Sequence, residues 1–254
     1  MNEFERLADG SAAEELFRGI GETMVRSALE NVMGTVYSDG VQPTMASILL
    51  GDFCFFSESA DADLMRFTFS ESGKKFLIAV PFGKDGEKNI YETFGERARR
   101  VTRYAFKKNT VFDREKLRYF ANSLGSDFEM RKIDRELFYR LRGDAVFGDF
   151  VAQFEDYDMF SALGTGIIVM KNDLIVSGAS AYSAYRGGIE IEVDTASEYR
   201  RMGLARASSA ALILECLDRE LYPSWDAQNP ISAHLASALG YGEAREYFAY
   251  EISE

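Results

Sequence analysis

The segment 188–220 restricts the fold of this chain more than any other stretch. It begins with strict alternation of apolar and acidic side chains over 188–195, which is typical of a β-strand. A polar loop containing Gly203 follows, and the apolar stretch 204–220 predicts a helix. A strand that passes through a short loop directly into a helix is the basic unit of α/β folds.

The elements predicted around this unit form a mixed sheet. Turns at 171–173 and 185–188 separate three strands, and after the helix come a strand, a helix and a last strand. The predicted strands are 166–171, 174–185, 188–195, 221–226 and 246–252, and the last helix is 230–239. We therefore predict an α/β protein with a mixed sheet and two domains, 1–127 and 128–254.

The first half predicts a second α/β layer. Ser11 and Glu14 form a capping box, which predicts a helix to about residue 32. Further strands are expected at 44–57, 66–69, 75–82 and 101–107, and further helices at 87–100 and 113–125. This order suggests a degenerate copy of the second half, although the loop pattern around Gly203 has no counterpart here.

Composition excludes several classes of function. The 254 residues carry a net charge of −12, which argues against a nucleic-acid binder and against a basic membrane-surface helix. One histidine and two cysteines cannot build a usual Cys/His zinc site, and we expect no metal. We interpret Cys54 and Cys216 as reduced core thiols. The chain shows neither a signal-peptide pattern nor an apolar run of about 18 residues, so we expect a cytoplasmic protein.

The loop before the predicted 204–220 helix has the chemistry of an anion site. The first amides of a helix lack intrahelical partners, and the helix dipole places partial positive charge there. Gly203 allows a phosphate to approach the main chain, and Arg200 and Arg201 could add charge. The alternative is an ordinary strand-to-helix turn with solvated arginines.

Two motifs resemble those of a known family. Arg200-x-x-Gly203-x-Ala205 matches the (Gln/Arg)-x-x-Gly-x-(Gly/Ala) signature of the GNAT superfamily of N-acyltransferases. Asn229-x-x-Ser232, followed by the Leu-Gly-Tyr segment 239–241, resembles a second hallmark of that family. The stretches 222–229 and 189–205 further resemble a bacterial branch that includes the zwittermicin A self-resistance acetyltransferase.

This resemblance implies a GNAT-like fold over 128–254 and an enzyme that acetylates an amine with acetyl-CoA as cosubstrate. In the family, loop amides bind the CoA pyrophosphate, and the backbone of the preceding strand pairs with pantetheine. The residues that match are Ile191, Val193, Arg200, Arg201, Met202, Gly203, Leu204, Ala205, Asn229 and Ser232. The family's amine attacks the thioester directly within a ternary complex, so no enzyme nucleophile is required.

Two acids are candidates for the general base. Glu190 and Glu192 share one face of the 188–195 strand, because side chains alternate along a strand. Either could bind or deprotonate an ammonium substrate, whereas the alternative is a solvated sheet face. Most of the negative charge lies in the second half, which suggests a cationic small-molecule amine as acceptor. Trp225 could line the acceptor pocket or pack in the core.

One position departs from the family. Many members carry a tyrosine seven residues after the asparagine as general acid, and this chain has Ala236 there. Possible substitutes are Tyr182, Tyr185, Tyr241 and His234. The absent phenol keeps open a non-catalytic acyl-CoA binder or a regulatory protein with a vestigial cleft. The sequence also leaves a homodimer open.

Overall fold

The computed structural model describes residues 4–254. It divides into two compact units: the first comprises the chain up to Arg103 together with Glu246–Glu254, and the second comprises Tyr104–Arg245. Each unit is a mixed α/β layer, as the sequence predicts.

The elements of the first half follow one another in short succession. The strands are β1 (Glu5–Arg6), β2 (Thr35–Ser38), β3 (Ala46–Leu50), β4 (Phe53–Phe56), β5 (Phe76–Pro81) and β6 (Ala98–Phe106). The α-helices are α1 (Thr23–Leu29), α2 (Ala62–Glu71) and α3 (Gly86–Phe94), with 3-10 turns at Gly10–Phe17 and Gly95–Arg97.

The sheet of the first unit has the order β1-β2-β3-β4-β5, continued by β13 (Ala244–Ser253) and β6. β4 and β5 are parallel and stay paired along the whole of β4, from Phe53 opposite Ile78 to Phe56 opposite Pro81. All four residues of β4 are buried. Its unbroken apolar run suits a strand covered on both faces.

Three predictions for the first half are wrong. Residues 66–69 lie inside α2, because Asp61 caps the amides of Asp63 and Leu64 and starts a helix there. The stretch 44–57 is two strands, since the chain turns at Gly51, whose φ is +58°. The cap at the first helical segment is Asp9 rather than Ser11, and the segment is a 3-10 helix.

The second half matches its predicted elements more closely. The helices are α4 (Arg114–Ala121), α5 (Arg135–Arg142), α6 (Tyr157–Leu163), α7 (Leu204–Asp218) and α8 (Pro230–Leu239). The strands are β7 (Glu129–Lys132), β8 (Gly166–Lys171), β9 (Leu174–Tyr185), β10 (Gly188–Thr195), β11 (Tyr222–Ser224) and β12 (Asp226–Ala227). The predicted 221–226 strand is thus interrupted at Trp225.

The sheet of the second unit has the order β11-β10-β9-β8-β7. Its pairs are antiparallel except β10–β11, which is parallel. α7 packs against β8, β9 and α4. Small residues, among them Ala207, Ser208 and Ala210, are buried along α7 and allow its backbone to approach the neighbouring elements.

The same order of elements occurs in both halves. With the two-residue strand β12 left aside, β2-β3-β4-α2-β5-α3-β6 corresponds to β8-β9-β10-α7-β11-α8-β13, and in each series the third strand pairs in parallel with the fourth. This correspondence is what the hypothesis of a degenerate copy requires. The division between the units does not fall at 127/128, because α4 packs on α7 and β13 pairs with β5.

Both cysteines are buried free thiols, and we expect them to be unreactive in the native protein. Burial raises the pKa of Cys216 to about 12 and that of Cys54 further, so the nucleophilic thiolate is scarce near pH 8. A disulfide-exchange reagent at pH 8 should label neither thiol before unfolding and both in denaturant. Rapid labelling of a native thiol would contradict the packing around it.

No helix within residues 4–254 is long and apolar enough to cross a membrane. In the same part of the chain, no cluster of three or more His, Cys, Asp or Glu side chains could hold a metal ion.

Candidate active site

The sheet of the second unit opens between β10 and β11. The two strands are paired at Gly188–Tyr222, Ile189–Pro223 and Glu190–Ser224, and pairing ends there. β10 continues to Thr195, while the chain after Ser224 crosses to pair with the end of β6 as β12. Residues 191–195 stay paired with β9 on one side, and on the other side their backbone faces an opening instead of a neighbouring strand.

Side-chain hydrogen bonds hold the strands where they separate. Tyr241 donates its hydroxyl to the carbonyl oxygen of Pro223 at 2.5 Å. The hydroxyls of Tyr185 and Ser224 are 2.9 Å apart. Pro223 has no N–H, and its strand β11 lies at the edge of the five-stranded sheet. Tyr241 therefore supplies a donor to the Pro223 carbonyl, which no further strand of that sheet satisfies.

Tyr241→Phe tests this bond. Burial is the main cause that raises the pKa of Tyr241 well above its usual value, so the phenol stays a donor at neutral pH. Losing it should lower the free energy of unfolding by about 1–3 kcal/mol. Above about pH 10 the tyrosine ionises only in the unfolded chain, which lowers the free energy of unfolding of the wild type. The difference in free energy of unfolding between wild type and Tyr241→Phe therefore narrows. Urea titrations at pH 7 and pH 10.5 measure both effects.

The matched control for that experiment is Tyr139→Phe, which removes an exposed phenol from the same unit. It should leave the free energy of unfolding within about 0.5 kcal/mol of wild type. Equal losses in the two variants would show that the bond to Pro223 is not stabilising.

The structure places Glu190 and Glu192 on one face of β10, as predicted. Glu190 is only 7% exposed and lies at the last paired position, opposite Ser183 of β9 and Ser224 of β11. Glu192 is half-buried and lies in the open part of the strand. The face is therefore largely withdrawn from solvent, contrary to the alternative of a solvated sheet face.

The surroundings of Glu190 were missed from sequence. The β9–β10 register shifts between Glu190 and Ile191, which leaves Tyr182 as an extra residue in β9. Beside this bulge, the Ser183 hydroxyl is buried and makes no hydrogen bond within residues 4–254. Two tyrosines three residues apart in a strand, Tyr182 and Tyr185, break the two-residue period and could have indicated the bulge.

Gly188 makes room for the Tyr185–Ser224 bond. A Cβ at Gly188 would lie 2.3 Å from the Tyr185 hydroxyl, so the tyrosine side chain passes over a position that must lack a side chain. The phenol thus reaches from β9 across β10 to β11. A polar group is in this way fixed beside Glu190 at the point where the strands separate.

The start of α7 lacks a side-chain cap. Its N-cap is Gly203, with φ of +82°, and Arg201 in the preceding loop also has positive φ at +65°. Side-chain oxygens cap α2, α4, α5, α6 and α8, whereas α1 and α3 begin without a side-chain cap, as α7 does. The first amides of α7 are therefore not occupied by an internal acceptor side chain, and the helix start is suited to an external anion.

The other residues of the predicted loop site fall into two groups. Arg201 and Met202 are exposed, and Ala205 is half-buried. Leu204 packs against Val169 and anchors the helix, while the Arg200 Nε donates to the carbonyl of Thr195 at 3.2 Å. The loop is thus tied to β10 on one side and to the core on the other.

Asn229, Ser232 and Trp225 form a connected group at the start of α8. Asn229 caps the helix by accepting from the Ser232 amide at 2.9 Å. The Trp225 indole donates to the Ser232 hydroxyl at 3.1 Å, and its buried ring packs on Tyr241. These contacts position α8; a role of Asn229 and Ser232 in cofactor binding, and of Trp225 in substrate binding, stays a prediction.

The four proposed substitutes for the missing family tyrosine differ in placement. Ala236 is itself buried in α8, and His234 is exposed on the same helix. The Tyr241 hydroxyl is engaged with Pro223 and the Tyr185 hydroxyl with Ser224, and Tyr182 and Tyr185 both lie in β9 near Glu190.

The sheet of the second unit is mixed, it opens beside a strand that carries two acids, and the helix that follows begins after a glycine. This arrangement agrees with the acyltransferase α/β fold that the two sequence motifs imply. The chain belongs to the GNAT acetyltransferase family, because the model of that family matches residues 14–250. The protein is accordingly a transferase enzyme, and the resemblance inferred from the two motifs is confirmed at the level of the family.

Individual relatives agree with this assignment. A GCN5-related N-acetyltransferase-like protein from Streptococcus suis is 40% identical, with a TM-score of 0.90 over 96% of this chain and 98% of that one. An uncharacterized N-acetyltransferase, YdfB, from Bacillus subtilis is 30% identical over 105 residues. That match covers 39% of this chain and 40% of the relative's length.

A more distant structure matches the whole chain in fold alone. A tandem GNAT protein from the clavulanic acid biosynthesis pathway is 10% identical, with a TM-score of 0.56 over 99% of this chain and 98% of that one. Its tandem arrangement agrees with the repeated order of elements described above.

Proposed function

We propose that this protein transfers the acetyl group of acetyl-CoA to the amine of a small molecule by direct attack in a ternary complex. The observation that carries this proposal is the opening of the sheet after Glu190, with a buried acid at its closed end. The narrower resemblance to the branch containing the zwittermicin A self-resistance acetyltransferase stays a prediction.

The opening suits the pantetheine arm of CoA, which is extended and carries amide groups. Five residues, 191–195, form the open edge of β10, a length of about 16 Å at the usual rise of a strand. Ile191 and Val193 would pair through their backbone with pantetheine. The edge leads from the closed end at Glu190 toward the loop and the uncapped start of α7.

The loop and helix start would hold the pyrophosphate. The main-chain groups of 201–205 supply donors and the positive end of the helix dipole, and Arg200 and Arg201 add charge. In a chain with a net charge of −12, this local arrangement must bind an anion against the overall field. Asn229 and Ser232 would contribute at the start of α8.

The chemical step follows from this placement. The amine nitrogen attacks the thioester carbonyl carbon; the C–N bond forms, the C–S bond breaks, and CoA leaves as a thiolate. Glu190 or Glu192 accepts the proton that the ammonium must lose. A second proton leaves the nitrogen as the amide forms, and it passes through Tyr182, Tyr185 or water to the thiolate. Trp225 would line the acceptor side.

Two measurements test the proposal. Acetyl-CoA at a hundredfold excess over Kd should stabilise the protein by about 2.7 kcal/mol, visible as a rise in Tm. A thiol-release assay over a panel of small amines should then identify an acceptor. Absence of any Tm rise at millimolar acetyl-CoA would overturn the proposal.

Ala236 favours one alternative, a non-catalytic acyl-CoA binder or regulatory protein. The family's phenol is absent at that position, and the side chain there is buried alanine. A Tm rise with acetyl-CoA, combined with no thiol release for any amine, would support this alternative over catalysis.

A further inference from the structure

The first unit contains a cleft that the acetyl-transfer proposal does not use. Its volume is about 410 Å³, within the range of small-molecule sites. It lies beside α2 and its following turn, and its far wall is the end of α3 with the 3-10 turn Gly95–Arg97. All of its lining residues belong to the first unit.

The residues that line this cleft include more cations than acids. Arg66, Lys74 and Arg97 line it, and Glu254 is the acid among the lining residues. Asp63 and Asp52 pair with Arg66 and Lys74 from outside the lining, so Arg97 is the cation of the cleft that is not engaged by an acid within residues 4–254. Its guanidinium favours an anionic ligand over a cation.

The three cations differ in how they are engaged. Arg97 makes no ion pair within residues 4–254, and its guanidinium lies 5.6 Å from the ring centre of Phe94. Arg66 pairs with Asp63 at 2.9 Å, and both side chains are more than half exposed. Because such a pair contributes little free energy, Arg66 can release Asp63 to contact a ligand. Lys74 is held by Asp52 at 2.5 Å and is about one third exposed.

The cleft also has an aromatic wall. Phe69 and Phe94 contribute rings whose centres are 5.9 Å apart and inclined by 51°. The Arg97 guanidinium beside Phe94 is thereby oriented by its contact with the ring. A ligand that satisfies the whole cleft needs both a negative group and an apolar body.

Among the described residues of the first unit there is no opening like that of the second. β4 and β5 stay paired along all of β4, and Asp61 occupies the first amides of α2. The chemistry of a ligand in this unit is therefore set by the cleft and not by a repeat of the acetyl-CoA arrangement.

We propose that this cleft binds a small carboxylic acid with an aromatic or other apolar body. The Arg97 guanidinium, a planar fork that matches a carboxylate, receives the anion with help from Lys74 and Arg66. Phe69 and Phe94 contact the apolar part. This site is independent of the proposed acetyl transfer.

Titration calorimetry with the full chain tests the site, with phenylacetate as the probe. Phenylacetamide, which has the same shape without the charge, should bind at least about tenfold more weakly. Inorganic phosphate, which lacks the apolar body, should also bind at least about tenfold more weakly. Equal binding of acid and amide, or tighter binding of phosphate, would overturn the proposal.

Three variants locate the binding. Arg97→Gln should weaken phenylacetate at least about tenfold, and Glu254→Gln should strengthen it by removing a like charge. Lys84→Gln makes the same charge change as Arg97→Gln at an exposed position of the same unit that does not line the cleft. Unchanged affinity in Arg97→Gln, or an equal loss in Lys84→Gln, would contradict the assigned site.

Discussion

Gly203→Asp is expected to weaken acetyl-CoA binding by at least about a hundredfold. An aspartate at the N-cap of α7 would accept from the helix amides and place a negative charge where the pyrophosphate must bind. The backbone can tolerate the change, because Asp and Asn are the side chains most often found at positive φ. A Cβ at this position would meet only the Arg206 guanidinium, at 3.8 Å.

The neutral isostere separates charge from shape. Gly203→Asn has the same size and the same tolerance of positive φ but no charge, so its affinity should fall much less than that of Gly203→Asp. Calorimetry with acetyl-CoA measures both. If the two variants bind acetyl-CoA equally well, the helix start is not the anion site.

Gly19 supplies a control for backbone strain and net charge. It has the same φ of +82°, lies in the first unit, and has open space where a Cβ would stand. Gly19→Asp should leave the affinity for acetyl-CoA unchanged. A comparable loss there would mean that the effect at Gly203 comes from the overall charge.

Glu190→Gln is expected to lower kcat by about a hundredfold or more, because the amide cannot accept the proton of the ammonium. The KM for acetyl-CoA should change little. Glu190 is expected to matter more than Glu192, since it lies at the closed end of the opening and is more deeply buried. Thiol-release kinetics on both variants measure the difference.

Glu198→Gln is the matched control for these acids. Glu198 follows the same strand but is exposed in the turn before the loop. Its replacement should leave kcat within about twofold of wild type. If Glu190→Gln and Glu192→Gln both behave like this control while the Tm rise with acetyl-CoA persists, neither acid is the base and water must take that role.

Local patterns predicted the second half well. The alternation over 188–195 specified which residues of β10 share a face, because the two-residue period of a strand leaves no other arrangement. The helix 230–239 was predicted at its observed bounds from its apolar pattern after Pro230. Strong periodicity and caps suffice where neighbouring contacts agree with local preference.

The strands and helices of the first half were harder to predict, because the pattern of its apolar residues does not distinguish a strand from a helix. Phe67 and Phe69 alternate as in a strand, yet they lie in a helix started by the Asp61 cap. A short apolar run is ambiguous by period alone, and tertiary packing decides its conformation. The pairing of β13 with β5 is likewise a long-range contact that no local pattern indicates.

The sequence by itself determined the family, the acid-bearing face of β10 and the glycine before α7, since each depends on residue types at fixed spacing. Only the tertiary structure decided where β11 leaves β10 and which hydroxyls surround Glu190. Those features arise from bonds between segments far apart in the chain, such as Tyr241 to Pro223 and Tyr185 to Ser224. The local periodicity of a sequence does not indicate such long-range hydrogen bonds.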